Sequence, residues 1–555
     1  MSTAQSSGWL SQAVTGLLER LGSPPREPTH FPDAQQTSAL LSLPDDILLL
    51  IFALIKEDDL LACKQVCRSL SRLLQVDLRC QYRIELAANG MIDGPSSDVT
   101  LPDRLEQLHE HRARLASTPF SVDEGAWATA EGRVQVLASD GTVVYAMRRT
   151  QGGYNLDIRT PPGPSAQVEA GVVSGSYCLT VEMGPDSHIE TVDTSQNLLV
   201  VSESINDSWE ITIHLLDMTT GLPHSAASGA VLRTVSDQGR PFLVQVHRQY
   251  LAWLVWAPGL TRRDIEIWDW QAGRIVWRHT FRPQTSFAFL NTSYILTTSG
   301  RQEVIEVFRF DDHTHDPNQD VDSKPFLTME LPLGAFRCSI HHDERSRIHT
   351  SSSSSSGAPF RPDPLVSVVA VRFAIYATST ELANALLLVP RATFHEQIDA
   401  ALNSSDSEPE RRMFWHEWGP TGGLLLNLSG PEIIPRVVFS PCGSRFPVLV
   451  RDKWKAGQAQ IVVFDVNPWA ARAARCKNGS KAGGSLTVIK DTSSFRFRTL
   501  RASIPHVAYL GPRMSFPKEH KPTFVTMNHD GFTVQHEWKP PYQERLGFGY
   551  QTFYI

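Results

Sequence analysis

The 555-residue chain has no run of about eighteen apolar residues, the length that a membrane-spanning helix needs. Its first residues also lack the basic stretch and apolar core of a secretion signal. Cysteine is scarce: seven thiols, at 63, 67, 80, 178, 338, 442 and 476, an odd number scattered widely after the first three. Disulfide frameworks need paired cysteines in an oxidising compartment, so reduced thiols in the cytoplasm, the nucleus or both are the expectation. Triplets such as Asn206-Asp207-Ser208 are then chance matches to a glycosylation signal. No sign of charge dominates either. With 52 Lys and Arg against 59 Asp and Glu the net charge is −7, which argues against a nucleic-acid partner and its need for a concentrated basic surface. A membrane partner is not expected.

Motifs of chemistry are missing too. The chain has no Gly-x-Ser-x-Gly elbow, no Gly-x-x-x-x-Gly-Lys-Ser/Thr phosphate loop and no His-Glu-x-x-His pair. Cys63 and Cys67 lie four apart on an expected helix, near Cys80, but nothing is spaced to complete the four ligands of a zinc site. His109 with His111, and His313 with His315, stand in polar stretches as surface residues. No catalytic, cofactor-binding or metal-ligating residue is therefore assigned. A triad assembled only in three dimensions lies beyond such a search.

What the chain does have is an apolar helical segment over residues 43–70. It reads Leu43-Pro44-Asp45-Asp46-Ile47-Leu48-Leu49-Leu50-Ile51-Phe52, then Asp58-Asp59-Leu60-Leu61-Ala62-Cys63-Lys64-Gln65-Val66-Cys67-Arg68-Ser69-Leu70. Pro44 suits a first helical position, and Asp45 and Asp46 put negative charge at the positive end of the helix. Ile47, Leu48, Leu50, Ile51, Leu54 and Ile55 keep helical spacing, while Leu49, Phe52 and Ala53 make much of the opposite side apolar as well. A unit of about fifty residues has too little core to bury both sides, so one is expected to meet another protein. An ordinary helical hairpin packed on the rest of the chain is the bland alternative.

Residues 39–87, which hold this segment, resemble an F-box, the module that docks on the Skp adaptor of cullin–RING ubiquitin ligases. The matching residues are Leu43-Pro44, Ile47, Ile51-Phe52, Asp59-Leu60-Leu61 and Val66-Cys67-Arg68; where an aromatic Trp often follows that Arg, this chain has Leu70. Residues Tyr82 to Pro95 and Asp103 to Leu108 are similar to the linker of many fungal F-box proteins. The resemblance implies adaptor docking through Leu43, Pro44, Ile47, Ile51, Phe52, Leu60, Leu61, Val66 and Leu70.

Ahead of the F-box, Trp9, Leu10, Ala13, Val14, Leu17, Leu18 and Leu21 share a helical face, and residues 22–38 read as a flexible polar linker. Residues 88–119 are expected to form a linker with a helix through Leu101, Leu105, Leu108, Arg112 and Leu115. From about 120 to 555 the chain turns to short β-rich runs punctuated by Gly, Pro, Asp and Asn, and long amphipathic helices are absent. The expected fold class is a small all-α F-box followed by a large all-β domain, an α+β multidomain protein.

Within the β region Ile211 to Gly221 matches Ile265 to Gly273 with Asp217 set on Asp269: an alternating strand, an Asp, and Gly four residues on. Ile461 to Val466, with Asp465, repeats this, and Val304 to Asp311 does so loosely. Spacings of about forty to fifty residues are those of propeller blades. Val438 to Phe446 resembles the inner-strand turn of a WD-repeat blade, with Cys442 where an acid is common. A six- or seven-bladed β-propeller is the expectation, with a large β-sandwich or two stacked β domains as competitors. Residues 341–364, with six consecutive serines, and 403–411 read as solvated loops. Trp253, Trp256, Trp268 and Trp270 read as packing between blades, whereas Trp415 and Trp418, in loop-like surroundings, are candidate contacts for a protein substrate. The function implied is a substrate receptor of a Skp–cullin–F-box ligase. A non-proteolytic scaffold, or an enzyme with a site in the propeller channel, stay as alternatives.

Overall fold

The computed structural model describes residues 39–94, 99–116 and most of 121–554. The larger gaps within that last range are 160–175, 312–323, 343–359, 404–410, 472–503 and 539–546. The expected N-terminal helix and linker, the serine run and most of the 403–411 loop thus lie outside the described residues. No described helix is long and apolar enough to cross a membrane. The described residues fall into two compact units, 39–87 with 99–109, and 88–94 with 110–554.

The first unit is helical: α1 (Asp45–Leu54), α2 (Glu57–Val66), α3 (Arg68–Val76) and α4 (Leu78–Asn89), with α5 (Leu101–Ala116) beginning in it. The second is a ring of seven blades. In chain order their first strands are Val134–Ser139, Ser187–Asp193, Phe242–His247, Ser286–Phe289 and Ala335–His342; blade 6 is built on Arg445–Arg451 and blade 7 begins at Lys521–Met527. The blades are built of antiparallel strands, with one parallel strand added to the edge of blade 4 and one, Val438–Ser440, to the edge of blade 7. Ser121–Ala128 pairs with Gly547–Tyr554 as the outermost strand of blade 7, so the N-terminal end of the β region closes the ring.

Blades bury both faces, and the second strand of blade 2 shows how. Leu198 and Val200 enter the apolar cluster shared with blade 3, while Leu199 and Val201 enter the one shared with blade 1. Successive side chains leave opposite faces, so a strand covered on both sides reads as an unbroken apolar run. Equivalent clusters fill the remaining interfaces, down to Tyr550 of blade 7 against Val143 and Tyr145 of blade 1. Trp253, Trp268 and Trp270 pack between blades 2 and 3. The buried Glu266 carboxylate accepts hydrogen bonds from the indoles of Trp253 (3.0 Å) and Trp268 (3.1 Å) and from Thr234 of blade 2 (2.8 Å).

The repeat read from the sequence is a shared turn. Gly221 N–H donates to the Asp217 carbonyl (2.7 Å) and Gly273 N–H to that of Asp269 (2.8 Å). Both glycines have φ near +70°, a conformation that costs other residues a clash at Cβ. In blades 2, 3, 4 and 6 the residue after the strand that carries the repeat position also bonds back to the turn before the preceding strand: Met218 to Asn197, Trp270 to Gln249, Phe310 to Ser293 and Val466 to Ser444. By that register Arg309, and not Asp311, occupies the repeat position in blade 4.

Asp217 Oδ1 accepts from the amide and hydroxyl of both Thr219 and Thr220, at 2.6–3.0 Å. Burial alone raises its pKa, but these bonds outweigh it and hold the carboxyl below its usual value. A depressed pKa contributes stability above the usual carboxylate range and loses it as pH falls through the folded-state value. Asp217→Asn is expected to lower unfolding stability at pH 7 by about 0.5–1 kcal/mol, solvent screening at this turn keeping the effect small. Denaturant titrations of the two proteins should converge as pH falls through the depressed folded-state value of Asp217.

Several expectations need correction. The β region holds two helices, α6 (Arg391–Leu402) and α7 (Trp415–Gly422), inserted between the third and fourth strands of blade 5. Between them Arg411–Met413 adds in parallel to the outer edge of blade 4. The 341–364 excursion is ordered at both ends. His341 is in a strand, and Phe360–Pro362 pairs with Met91–Asp93. That pairing, Asp363 N–H to the Gly90 carbonyl (2.8 Å), and the Arg445 guanidinium to that of Asn89 (3.4 Å) fasten residues 89–93 to the propeller unit.

Candidate functional site

Pro44 stands at the N-cap of α1 with φ −56°, and Asp45 and Asp46 fill the first turn. The helix turns Leu48 and Phe52 inward, where they meet Leu60 of α2, Leu70 and Leu74 of α3, and Cys80 of α4. Leu70, standing where an aromatic was expected, is a core residue. The outward stripe is apolar as well: Leu43 36 %, Ile47 42 %, Leu50 63 % and Leu54 77 % exposed. Spacings of three and four place Ile47, Leu50 and Leu54 along one side of the helix, and Leu43 lies just ahead of its N-cap. Val66 at the end of α2 is also exposed, Pro44 lies at the surface, and Ile51 and Leu61 are half-buried.

The expected docking residues thus divide. Leu43, Pro44, Ile47 and Val66 offer surface, and Leu50 and Leu54 join them, although sequence reasoning did not single them out as contacts. Phe52, Leu60 and Leu70 belong to the core and cannot touch a partner without unfolding the unit; they set the pose of the stripe.

Two positioning residues were missed. Arg83 of α4 donates to the carbonyls of Phe52 (2.8 Å) and Ile55 (2.6 Å) at the C-terminal end of α1, and pairs with Glu57 at the start of α2 (2.7 Å). One guanidinium therefore satisfies orphan carbonyls at the negative end of a helix and fixes the turn to the next. Asp77 closes α3 and caps α4, its Oδ1 accepting from Cys80 N–H at 2.8 Å. Arg83 lies 26 residues from Glu57, and no local pattern announces so distant a contact. Arg83→Ala leaves the two carbonyls and Glu57 without this donor. It should destabilise the helical unit by about 2–3 kcal/mol, read as earlier loss of α1 and α2 protection in hydrogen exchange.

Burial, and then the Asp77 carboxylate, push the Cys80 thiol up to about 12; burial and then Asp59 raise that of Cys63. Both stay protonated at neutral pH and, with Cys67, pack against the helical core. Among the described residues no group of His, Cys, Asp and Glu is placed to hold a metal.

In the propeller, the expected recognition pair does not form a surface. Trp418 is 1 % exposed and donates its indole N–H to the Glu330 carbonyl (2.9 Å), tying α7 to blade 4. Trp415 is half-buried against the same cluster, edge-on to Trp418 at 5.3 Å. Both lie in a helix, where aromatic residues three apart share a face, and so they bury together.

Solved structures similar to the chain share very little identity with it. The β-propeller domain of the Trilobed protease from Pyrococcus furiosus is 6 % identical, with 77 % of this chain and 97 % of that one covered and a TM-score of 0.38. The WD40 domain of SCAP from fission yeast is 9 % identical, with 83 % and 98 % covered and a TM-score of 0.32. A structure of prolyl endopeptidases is 8 % identical, with 87 % and 54 % covered and a TM-score of 0.33. Likenesses this weak carry no argument about function. No curated protein matches the chain. Residues 40–79, the segment that builds α1 to α3, match the F-box-like family, so the chain carries an F-box-like domain followed by a seven-bladed β-propeller.

Proposed function

We propose that the chain is a substrate receptor of a Skp–cullin–F-box ubiquitin ligase. Its helical unit docks on a Skp adaptor, and its propeller holds a protein substrate. The observation that carries the reading is the solvent-facing stripe Leu43, Ile47, Leu50 and Leu54 on a segment matching the F-box-like family. Three large aliphatic side chains on one side of α1, with Leu43 just ahead of its cap, form an apolar patch that a monomer rarely leaves bare. Phe52, Leu60 and Leu70 support it from within, and Val66 extends the apolar surface onto α2.

The chain on this reading performs no chemistry. It supplies proximity, bringing a bound protein to a ubiquitin-charged enzyme held by the cullin–RING assembly. The test is reconstitution with Skp adaptor, cullin–RING complex, conjugating enzyme and ubiquitin, using a protein that co-purifies through the propeller. Ubiquitin transfer that requires the chain supports the receptor reading. Stable association of all parts with no transfer favours the scaffold.

A further inference from the structure

Strands alternate direction within a blade, so the Asp217 and Asp269 turns lie on one face of the ring. The links from second to third strand and from blade to blade lie on the other. On that second face blades 2 and 3 bring together Trp209, Asp237, Trp256 and Arg263. Ser236 N–H donates to the Trp209 carbonyl (2.7 Å), its Oγ accepts from Trp256 N–H (3.2 Å), and Asp237 N–H donates to the Trp256 carbonyl (3.2 Å). The Arg263 guanidinium lies over the Trp256 ring at 4.3 Å. Trp209 is 56 % exposed.

Two strained residues extend this strip along the inner strands. Leu243 in blade 3 and Arg337 in blade 5 have φ of +50° and +52°, each in a bulge that follows a Phe. Left-handed backbone at such residues costs about 1–3 kcal/mol and persists where the surroundings impose it, often at binding sites. Both side chains are exposed, Leu243 at 49 %. The first strand of blade 4 joins them: Gln245 Nε2 donates to the Phe287 carbonyl, and Ile340 N–H to Ser286 Oγ, each at 2.9 Å.

The strip also carries unmet polar demand. Asp237 Oδ1 and Arg263 Nε are buried and have no hydrogen-bond partner among the described residues. Neither Arg263 nor Arg337 makes an ion pair among them, in a chain whose net charge is negative. Two guanidiniums without a carboxylate partner among the described residues fit an extended segment with an acidic side chain, whose carboxylate meets them in the charge-assisted fork that guanidinium favours. Trp209 and Leu243 offer apolar contact beside them.

We infer that this strip binds an extended protein segment in which Asp or Glu stands next to an apolar residue. The inference rests on the reading that the propeller holds a protein. The probe is a displayed library of random twelve-residue peptides selected on the full chain. Survivors should be enriched in Asp and Glu. A synthetic survivor should bind about ten-fold or more weakly to Arg263→Gln, to Arg337→Gln and to Trp209→Ala, and more weakly as salt rises. Circular dichroism of each variant confirms folding; Trp209, exposed and outside the core clusters, keeps the test open if an Arg variant misfolds. Survivors without acidic excess, variants that bind as the wild type does, or no survivors at all overturn the inference. Skp adaptor binding is measured on the same preparation. Adaptor binding without acidic selection sinks this inference alone; acidic selection without adaptor binding sinks the ligase reading alone.

Discussion

Ile47→Asp is expected to abolish capture of a Skp adaptor by the full chain while leaving its far-ultraviolet circular dichroism unchanged. Ile47 stands at the middle of the outward stripe, between Leu43 and Leu50, and contributes nothing to the buried cluster of α1 to α4. A carboxylate there costs the helical unit little in water. In a closed interface it is stripped of solvent without a partner, and loss of an interface anchor costs about 2–4 kcal/mol, roughly thirty- to a thousand-fold in affinity. Leu50→Asp should behave alike. Phe52→Asp should unfold the unit instead, because Phe52 is core. Ile51→Asp is less diagnostic, since its half-buried side chain serves both roles. A calorimetric titration of adaptor into each variant, beside its circular dichroism, separates these outcomes.

The largest expected effect on stability is that of Asp465→Ala. Asp465 ends the Gln458–Asp465 strand of blade 6, fully buried, and accepts from Ser444 Oγ (2.7 Å), Asn467 N–H (3.0 Å) and Arg445 Nε (3.3 Å). Arg445 is itself buried and also donates to the Asn89 carbonyl. Removing the carboxylate leaves a cation in the interior without its counter-charge, which costs about 3–5 kcal/mol. The denaturation midpoint of the propeller unit should fall accordingly. Asp217→Asn, at the corresponding position of blade 2 but partly solvated, should cost several-fold less. Equal losses at the two positions would contradict the burial argument. The double variant Asp465→Ala with Arg445→Met should recover much of the loss, since no charge is then left unpaired.

Much of this architecture was legible in the residues. Pro44 with the two acids after it marked the start of α1, and the Asp-to-Gly spacing at 217 and 269 marked a turn that both blades form. Leu198 to Val201 read as a strand, and only the ring of blades explains why it does not alternate: each face meets a different neighbour. Other features depend on distant partners. Ser121–Ala128 closes blade 7 by pairing more than four hundred residues away in sequence. Arg83 completes α1 from another helix. Trp415 and Trp418 looked like recognition residues because Gly, Pro and acidic residues flank them. The helix they open lies against blade 4 and buries one of them. On α1 the sequence showed apolar residues all round but not which side faces out. Packing decided that Leu48 and Phe52 go in and Ile47, Leu50 and Leu54 stay out.

The most direct test of the account is an equilibrium binding measurement between the purified full chain and a purified Skp adaptor, with the Ile47→Asp protein in parallel. The account predicts a saturable one-to-one complex for the wild type and no measurable binding by the folded variant. A folded wild-type chain that does not bind the adaptor, or a variant that binds it equally well, contradicts the docking surface assigned to Leu43, Ile47, Leu50 and Leu54.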